Sequence, residues 1–409
     1  MKIKPIKEVQ EMKKIFIFAF ILLSTLSVST LSVSTWGAEK PLKIGLVAPM
    51  TGPGAPWGLA WKKGAQLIAE QINTSGGITV QGERYKIEII AEDDKFSPSE
   101  AVTVTNKLIF DDKVKFILGP IGSALCTATS PITEANKVIT FVSCQSPKSL
   151  GPERPFAFRA LSLMGENVPP MFKWIKEKYP NVKKMAVLSP NDETGWTVNA
   201  EYMWVGKKYG FNMVAEEYYQ RNTNDFYPLL TRVLKNQPDL LAMSGGTGDI
   251  GLILKQARQM GYKGLAYSSA GHDADKLCKV AGKENAEGYL HSALTIIPGP
   301  IKKWHDEYMA RWGEWGEASV LATALDIIVQ GLQKADSLDT TKVLKAIETT
   351  TPNSRLFGPV KWGGKKRYGI PHQLLEPIFI AQVKGCTNML ISLMPPVEPE
   401  PAPVVDKKK

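Results

Sequence analysis

The sequence predicts an α/β protein built from two doubly wound parallel sheets. Two observations carry that prediction. Short apolar runs of strand length alternate with segments of helical period, and this alternation restarts near residues 155–165 before giving way to a mostly helical stretch after about 295. The connections between the elements are short, as in successive βα units. Ligands of such sheets lie beyond the carboxyl ends of the strands, so two similar lobes facing one another would enclose a cleft. Of the 409 residues 44% are hydrophobic and 22% charged, too apolar for a disordered chain.

The elements follow in order. Leu42–Ala48 (LKIGLVA) reads as a buried parallel strand ending at Pro49. A helix from about Leu59 to Asn73 carries Leu59, Ala65, Ile68, Ala69 and Ile72 at helical spacing and stops at Ser75-Gly76-Gly77. Strand Lys86–Ala91, helix Pro98–Phe110, strand Lys115–Leu118, a helix around Thr127–Ala135 and strand Val138–Val142 continue the first run. The second run reads as strand Lys184–Leu188, helix Val198–Tyr209, strand Asn212–Tyr218, helix Phe226–Lys235 and strand Leu240–Met243. Helix Ile250–Met260 and strands Gly264–Ser268 and Gly288–Thr295 complete it. Helices Ile301–Trp312, Ser319–Ala335 and Thr341–Glu348 come next, with strands at 357–362 and 377–383. Residues 391–409 are rich in Pro, Glu and Lys and read as a disordered tail.

Residues 1–38 have the layout of a secretory signal. A start with five Lys and two Glu precedes the apolar run Ile15–Leu23 and Ser/Thr-rich sequence, with cleavage expected near Ala38 or after Gly37. The apolar core is short for a bilayer of ~30 Å, which disfavours an uncleaved anchor. No Cys precedes residue 126, so a lipid-anchored protein is not expected, and a soluble periplasmic location is. The formal net charge of +10 loses +3 with this segment. The remaining +7 is scattered in pairs such as Lys62-Lys63 and Lys207-Lys208, the pattern of solvated faces rather than of a nucleic-acid surface.

KIGLVAPMTGPGAPWG (43–58), GAQLIAEQINTSGGI (64–78), AEDDKFSPSEAV (91–102) and ILGPIGSA (117–124) stand in this order. FAFRA (156–160), MAVLSPNDETGW (185–196), NDFYPLLTRV (224–233), LILKQARQMGYKG (252–264) and FGPVKW (357–362) follow. Together they resemble the branched-chain amino-acid-type solute-binding proteins of ABC importers over roughly residues 40–385. The resemblance implies a type I periplasmic binding protein: two Rossmann-like lobes joined by a three-strand hinge and closing on a solute. It places the first lobe at 39–160 plus 295–370 and the second at 161–294 plus 371–390. It implies a small-molecule solute and permease subunits in the inner membrane as partners, a monomer, no cofactor and no metal.

Gly119–Ala124 lies between a strand and a helix, where backbone N–H groups, a hydroxyl and the helix dipole suit a carboxylate. The resemblance puts Ser123 and Ala124 on the ligand's acid group, against the simpler reading of Ser123 as a helix cap. It assigns a backbone contact to Cys144, a hydroxyl contact to Ser146 and a place beside them to Gln145. It sets Trp57 over the ligand, and Thr194 with Trp196 opposite. Thr247 falls in a cleft-lining loop, and His272 reads as a polar contact. Amino-acid binders of this family place a carboxylate where Ala270 stands. A buried ammonium without a counter-charge is costly, so the expected solute is an aromatic or acyl acid unless Asp192, Asp249 or Asp273 supplies the charge.

Rival readings are weaker. Gly246–Gly251 is a literal GxGxxG opening a helix, with Asp273 22 residues further on, close to the spacing of about 20 in dinucleotide sites. Its position in mid-lobe, in an exported chain, speaks against an oxidoreductase. There is no GxSxG, and the four His are isolated. Glu92-Asp93-Asp94 reads as a structural turn. A ligand sensor of the same fold remains the alternative to transport. Cys126, Cys144, Cys278 and Cys386 allow up to two disulfides in three connectivities, of which 126–144 would stiffen the binding loops.

Overall fold

A computed structural model describes residues 39–52, 54–292 and 299–401. The expected signal segment 1–38 therefore lies outside the described residues, as do 293–298 and 402–409. The first sheet contains β1 (Lys40–Ala48), β2 (Ile78–Val80), β3 (Glu83–Asp93), β4 (Phe116–Ile121), β5 (Ile139–Ser143) and β6 (Ala157–Phe158). Their order is β2-β3-β1-β4-β5-β6, parallel except for the β2–β3 pair. Ile44 to Ala48 is buried without a break, because helices cover both faces of a parallel sheet. Helices α1 (Ala55–Thr74), α2 (Pro98–Phe110) and α3 (Ser123–Ala135) link these strands. Packing of α2 and α3 against Val47, Val114 and Ile117 builds one core layer. On the opposite face lie α1 and three later helices, α9 (Pro300–Trp312), α10 (Ala324–Ala335) and α11 (Thr340–Glu348).

The second sheet is made of β7 (Lys184–Pro190), β8 (Asn212–Tyr219), β9 (Leu240–Met243), β10 (Leu265–Ser268), β11 (Leu290–His291), β16 (Ile378–Lys384) and β17 (Thr387–Met394), in the order β17-β16-β11-β10-β9-β7-β8. Its covering helices are α4 (Met164–Lys178) and α5 (Glu193–Lys208) on one face. On the other are α6 (Tyr227–Leu234), α7 (Thr247–Gln259) and α8 (Ala274–Ala281). Two small pairs, β12 (Asn353–Ser354) with β13 (Gly358–Pro359), and β14 (Lys361–Gly363) with β15 (Gln373–Leu375), lie beside the first core, to which Leu356, Val360 and Leu374 belong. The chain passes between lobes at 159–163 and 376–377, tied by an Arg159–Gln373 bridge.

Several expectations need correction. Residues 391–394 are not tail but the end of β17, an edge strand on the second sheet. Gln373–Leu375 pairs with β14, and Leu374 joins the first core, so the return to the second lobe starts at Ile378 rather than 371. The segment expected as one helix from Ser319 begins as a 3-10 stretch, Glu317–Thr323, before α10. Gly288–Thr295 shrinks to Leu290–His291 within the described residues. The 357–362 strand breaks at Val360.

Candidate functional site

In each lobe the helix that follows the first long strand of its sheet, β1 or β7, is seated by the same device. A Cβ on Gly58 would overlap the carbonyl oxygen of Pro49, and one on Gly195 that of Pro190. Only glycine lets α1 and α5 approach so closely the loops that follow β1 and β7. Asp93 pins the first of these loops: its Oδ1 accepts from Met50 N at 2.8 Å and its Oδ2 from Thr51 Oγ1 at 2.6 Å. The acidic turn is thus a structural clamp. The carboxyl ends of both sheets face a cleft of about 290 Å3. Trp57, Phe96, Val198, Trp315, Leu321 and Phe379 supply apolar wall; Ser143, Asn167, Thr194, Thr247, Ser269 and Glu376 supply polar groups.

Of the residues expected from sequence, Trp57, Gln145, Thr194, Thr247, Ala270 and His272 line this cleft. Ser123, Cys144 and Ser146 sit buried behind its wall and hold one another in place. Ser123 Oγ accepts from Ser146 N at 3.0 Å, Ser146 Oγ from Lys148 N at 3.3 Å, and the Cys144 carbonyl from Arg159 Nη1 at 3.0 Å. The neighbours Gly122, Ser143 and Gln145 form the wall there instead. Ala124 lies off the wall, as does Trp196, whose Nε1 donates to Asn191 Oδ1 at 2.9 Å near the surface.

The lobes touch across the cleft. Ser123 N, at the start of α3, donates to Thr194 Oγ1 at 3.1 Å, and the single Thr127 hydroxyl proton is shared between the Ser123 carbonyl at 3.0 Å and Glu193 Oε1 at 3.2 Å. The α3 helix begins bonding at Cys126 N, so the N–H groups of its first turn have no acceptor within the helix. Arg221 reaches across to lie 5.3 Å from the Phe96 ring centroid, while its Nε donates to Asp192 Oδ2 at 2.5 Å. At the mouth Lys276 pairs with Glu314 at 3.5 Å.

His272 is a neutral contact. Burial, reinforced by His291, pushes its pKa down to about 3. Its Nδ1 meets Thr247 Oγ1 at 3.2 Å and its Nε2 meets Ser268 Oγ at 3.4 Å. Burial likewise lowers His291 to about 4. Because His291 Nδ1 accepts from His272 N, its proton sits on Nε2, facing Asn388 Oδ1 at 2.9 Å. The three acids considered as counter-charges are otherwise engaged. Asp192 holds Arg221 and Gly195 N, Asp249 accepts from Gly246 N at 3.2 Å, and Asp273 caps α8 through Lys276 N. The GxGxxG loop is therefore a helix start whose Asp249 closes back on Gly246.

Asn167, Trp315, Glu376 and Phe379 were missed. Glu376 is the second residue of the segment LEPIF, which reads as an ordinary strand entry; only the passage between lobes brings it to the cleft. Two disulfides form. Cys126–Cys144 joins α3 to the loop after β5, with Cα atoms 6.5 Å apart, and Cys278–Cys386 ties α8 to the turn between β16 and β17. Among the described residues no cluster of three or more His, Cys, Asp or Glu could hold a metal, and no helix is long and apolar enough to cross a membrane.

Comparison with known proteins agrees with this geometry. The chain is 27% identical over 319 residues to the leucine-, isoleucine-, valine-, threonine- and alanine-binding protein of Pseudomonas aeruginosa, covering 77% of this chain and 84% of that one. A leucine-binding protein from Thermotoga maritima superposes with a TM-score of 0.76 at 23% identity, over 87% of this chain and 99% of that one. The solute-binding protein of an ABC transporter from R. palustris, in complex with benzoate, gives 0.75 at 17% identity, over 88% and 98%. These relatives are binding proteins rather than enzymes. The family model described as periplasmic binding protein matches residues 41–387, and with two doubly wound lobes closing on one cleft, this chain belongs to the periplasmic binding protein family.

Proposed function

We propose that the chain is the extracytoplasmic solute-binding component of an ABC importer and captures a small carboxylate-bearing solute with an aromatic or acyl body. The observation that carries this reading is the cleft itself: flat apolar surface from Trp57 and Trp315, hydroxyls from Ser143, Thr194 and Ser269, and the first turn of α3 close by. Carboxylates are favoured at helix N-termini, and Trp faces favour planar or extended apolar groups. Ala270 and the neutral His272 occupy the wall where amino-acid binders place an acid, which supports an aromatic or acyl acid over an α-amino acid. The names of the 27% identical relatives support the second reading, a branched-chain amino acid. Delivery to a permease, the periplasmic location and a monomeric state belong to the same proposal.

The test is a thermal-shift screen of refolded, ligand-stripped protein, followed by calorimetry, against aromatic acids, short acyl acids, dicarboxylates and amino acids. A true ligand at 100 times its Kd stabilises by about 2.7 kcal/mol. Trp57→Ala should weaken an aromatic acid tenfold or more. Tight leucine or isoleucine binding with no response to aromatic or acyl acids would sink the preferred reading.

A further inference from the structure

Two polar atoms of neighbouring cleft residues are buried without a hydrogen-bond partner: Ser162 Oγ and Glu376 Oε1. Buried polar groups are nearly always partnered, so an unmatched pair on the wall of a binding cleft points to a missing partner. The two residues come from different passages between the lobes and are tied together, Ser162 N donating to Glu376 Oε2 at 3.2 Å. Asn167, at the start of α4, also lines the cleft and donates from Nδ2 to the Ser162 carbonyl at 3.5 Å. Glu376 is 3% exposed. Burial holds its carboxyl well above the usual range, and the nearby Glu166 adds to this. Glu166 is itself satisfied, accepting from Leu163 N at 2.9 Å and Tyr368 Oη at 2.8 Å.

We propose that Ser162, Asn167 and Glu376 form a subsite on the hinge wall that receives an N–H or O–H donor of the bound solute, and that Glu376 makes the cleft prefer solutes carrying one. This rests on the reading of the cleft as a carboxylate-solute site and adds the polar group that the solute must present at its hinge-facing side. A donor placed against Oε1 favours the ionised carboxyl that burial alone disfavours, and with Oε2 already satisfied by Ser162 N that second oxygen is the one left to offer. Leaving that atom unmatched against an apolar solute forfeits a buried hydrogen bond, and such a penalty is what sorts ligands that differ by one hydroxyl. A hydroxyl and an ammonium share this donor chemistry; the variants below separate them.

Calorimetric Kd values would be measured for matched pairs: 4-hydroxybenzoate against benzoate, 2-hydroxy-4-methylpentanoate against 4-methylpentanoate, and leucine against 4-methylpentanoate. In at least one pair the donor-bearing member should bind the wild-type protein tenfold or more tightly. Glu376→Leu should cut that ratio below threefold, whatever it does to the parent acid's own Kd, and Ser162→Ala should reduce the ratio by a smaller factor. Glu376→Gln is isosteric, keeps the acceptor for Ser162 N and puts an NH2 donor in place of Oε1, so it preserves the test should the Leu variant fail to fold. In the Glu376→Gln protein an advantage due to a hydroxyl, which can turn to accept from that NH2, survives within threefold, whereas one due to an ammonium, which has no lone pair, collapses. An unchanged ratio in both Glu376 variants, or wild-type protein binding the parent acids as tightly as their donor-bearing partners, overturns the subsite and leaves the cleft assignment standing. No binding of any carboxylate to wild-type protein overturns the cleft assignment and the subsite with it.

Discussion

The Ser123–Thr194 hydrogen bond joins the two lobes beside the cleft, so removing it should weaken ligand binding by disfavouring closure. In the structure Ser123 N lies 3.1 Å from Thr194 Oγ1, and the bond is partly buried. Thr194→Val keeps shape and removes the acceptor. If the lobes part without ligand, water then satisfies the N–H, whereas in the arrangement seen here it would face a methyl group. A net hydrogen bond of about 1 kcal/mol, with part of the penalty for an unmatched donor, sums to about 1–2 kcal/mol charged wholly to the closed state. That corresponds to a rise in Kd of about 5- to 30-fold. Thr194 also lines the cleft, so Thr194→Ser, which keeps the oxygen, is the control and should stay within about twofold. Thr127→Val removes the companion bond to Glu193 without touching the cleft wall and should cost about two- to fivefold. Calorimetry on the solute identified by screening gives the Kd values, and melting without ligand checks the fold. A Thr194→Val Kd within twofold of wild type, with an unchanged melt, would refute the view that this bond latches the lobes.

Three further outcomes follow from buried groups and cross-links. Burial, chiefly, raises the Asp94 pKa to about 7 from an ordinary 3.8, so the folded state holds this proton more tightly than the unfolded one. Wild-type stability from this group is therefore full near pH 4, falls by up to about 1.4 kcal/mol per pH unit toward 7 and is flat above. The stability of Asp94→Asn relative to wild type should rise over that window in urea unfolding; a pH-independent difference contradicts the assignment. The Cys278–Cys386 bridge spans 108 residues and the Cys126–Cys144 bridge 18. Restricting the unfolded chain then contributes about 4.7 and about 3 kcal/mol, so replacing the first pair by Ala should lower the denaturation midpoint more; the reverse order refutes loop entropy as the main source. Arg367 Nη2 and Glu201 Oε2 pair at 2.8 Å with both side chains 2% exposed. Glu201→Gln should lose about 3–5 kcal/mol and the double Leu variant should recover most of it; a loss under about 1 kcal/mol in the single variant counts against a buried charge.

Much of the fold was legible because period and punctuation agree. Helix Pro98–Phe110 and strand Leu240–Met243 coincide with the sequence expectation, the helix opened by Pro98 and the apolar strand set between the polar Asp239 and Ser244. Helix Met164–Lys178 was not legible, since Pro169 and Pro170 lie inside it and remove backbone donors. The end of β17 was hidden by the Pro-rich stretch after Met394, yet its partner β16 pairs with it from Lys384–Thr387 to Ile378–Met394, with one register shift between Ile380 and Ala381. At the site, residues in the loops after strands and at the starts of the helices that follow could be placed by topology: Trp57, Gln145, Thr194, Thr247, Ala270 and His272 line the cleft. Whether a loop residue faces the cavity or the core depends on local turns that no periodicity encodes, which is why Ser123, Cys144 and Ser146 fell behind the wall. Glu376 and Asn167 reach the cleft only through the passages between lobes.

The interleaving of the two lobes along the chain governs the order in which a newly made molecule can complete itself. All six strands of the first sheet have emerged by Phe158, but α9, α10 and α11, which cover one of its faces, begin only at Pro300. The second sheet waits longer, for β16 and β17 at residues 378–394. Until nearly the whole chain is available, the first sheet lacks part of its cover and the second lacks two strands, a state prone to aggregation. Synthesis therefore outruns burial, and the C-terminal third of the chain completes both halves of the clamp.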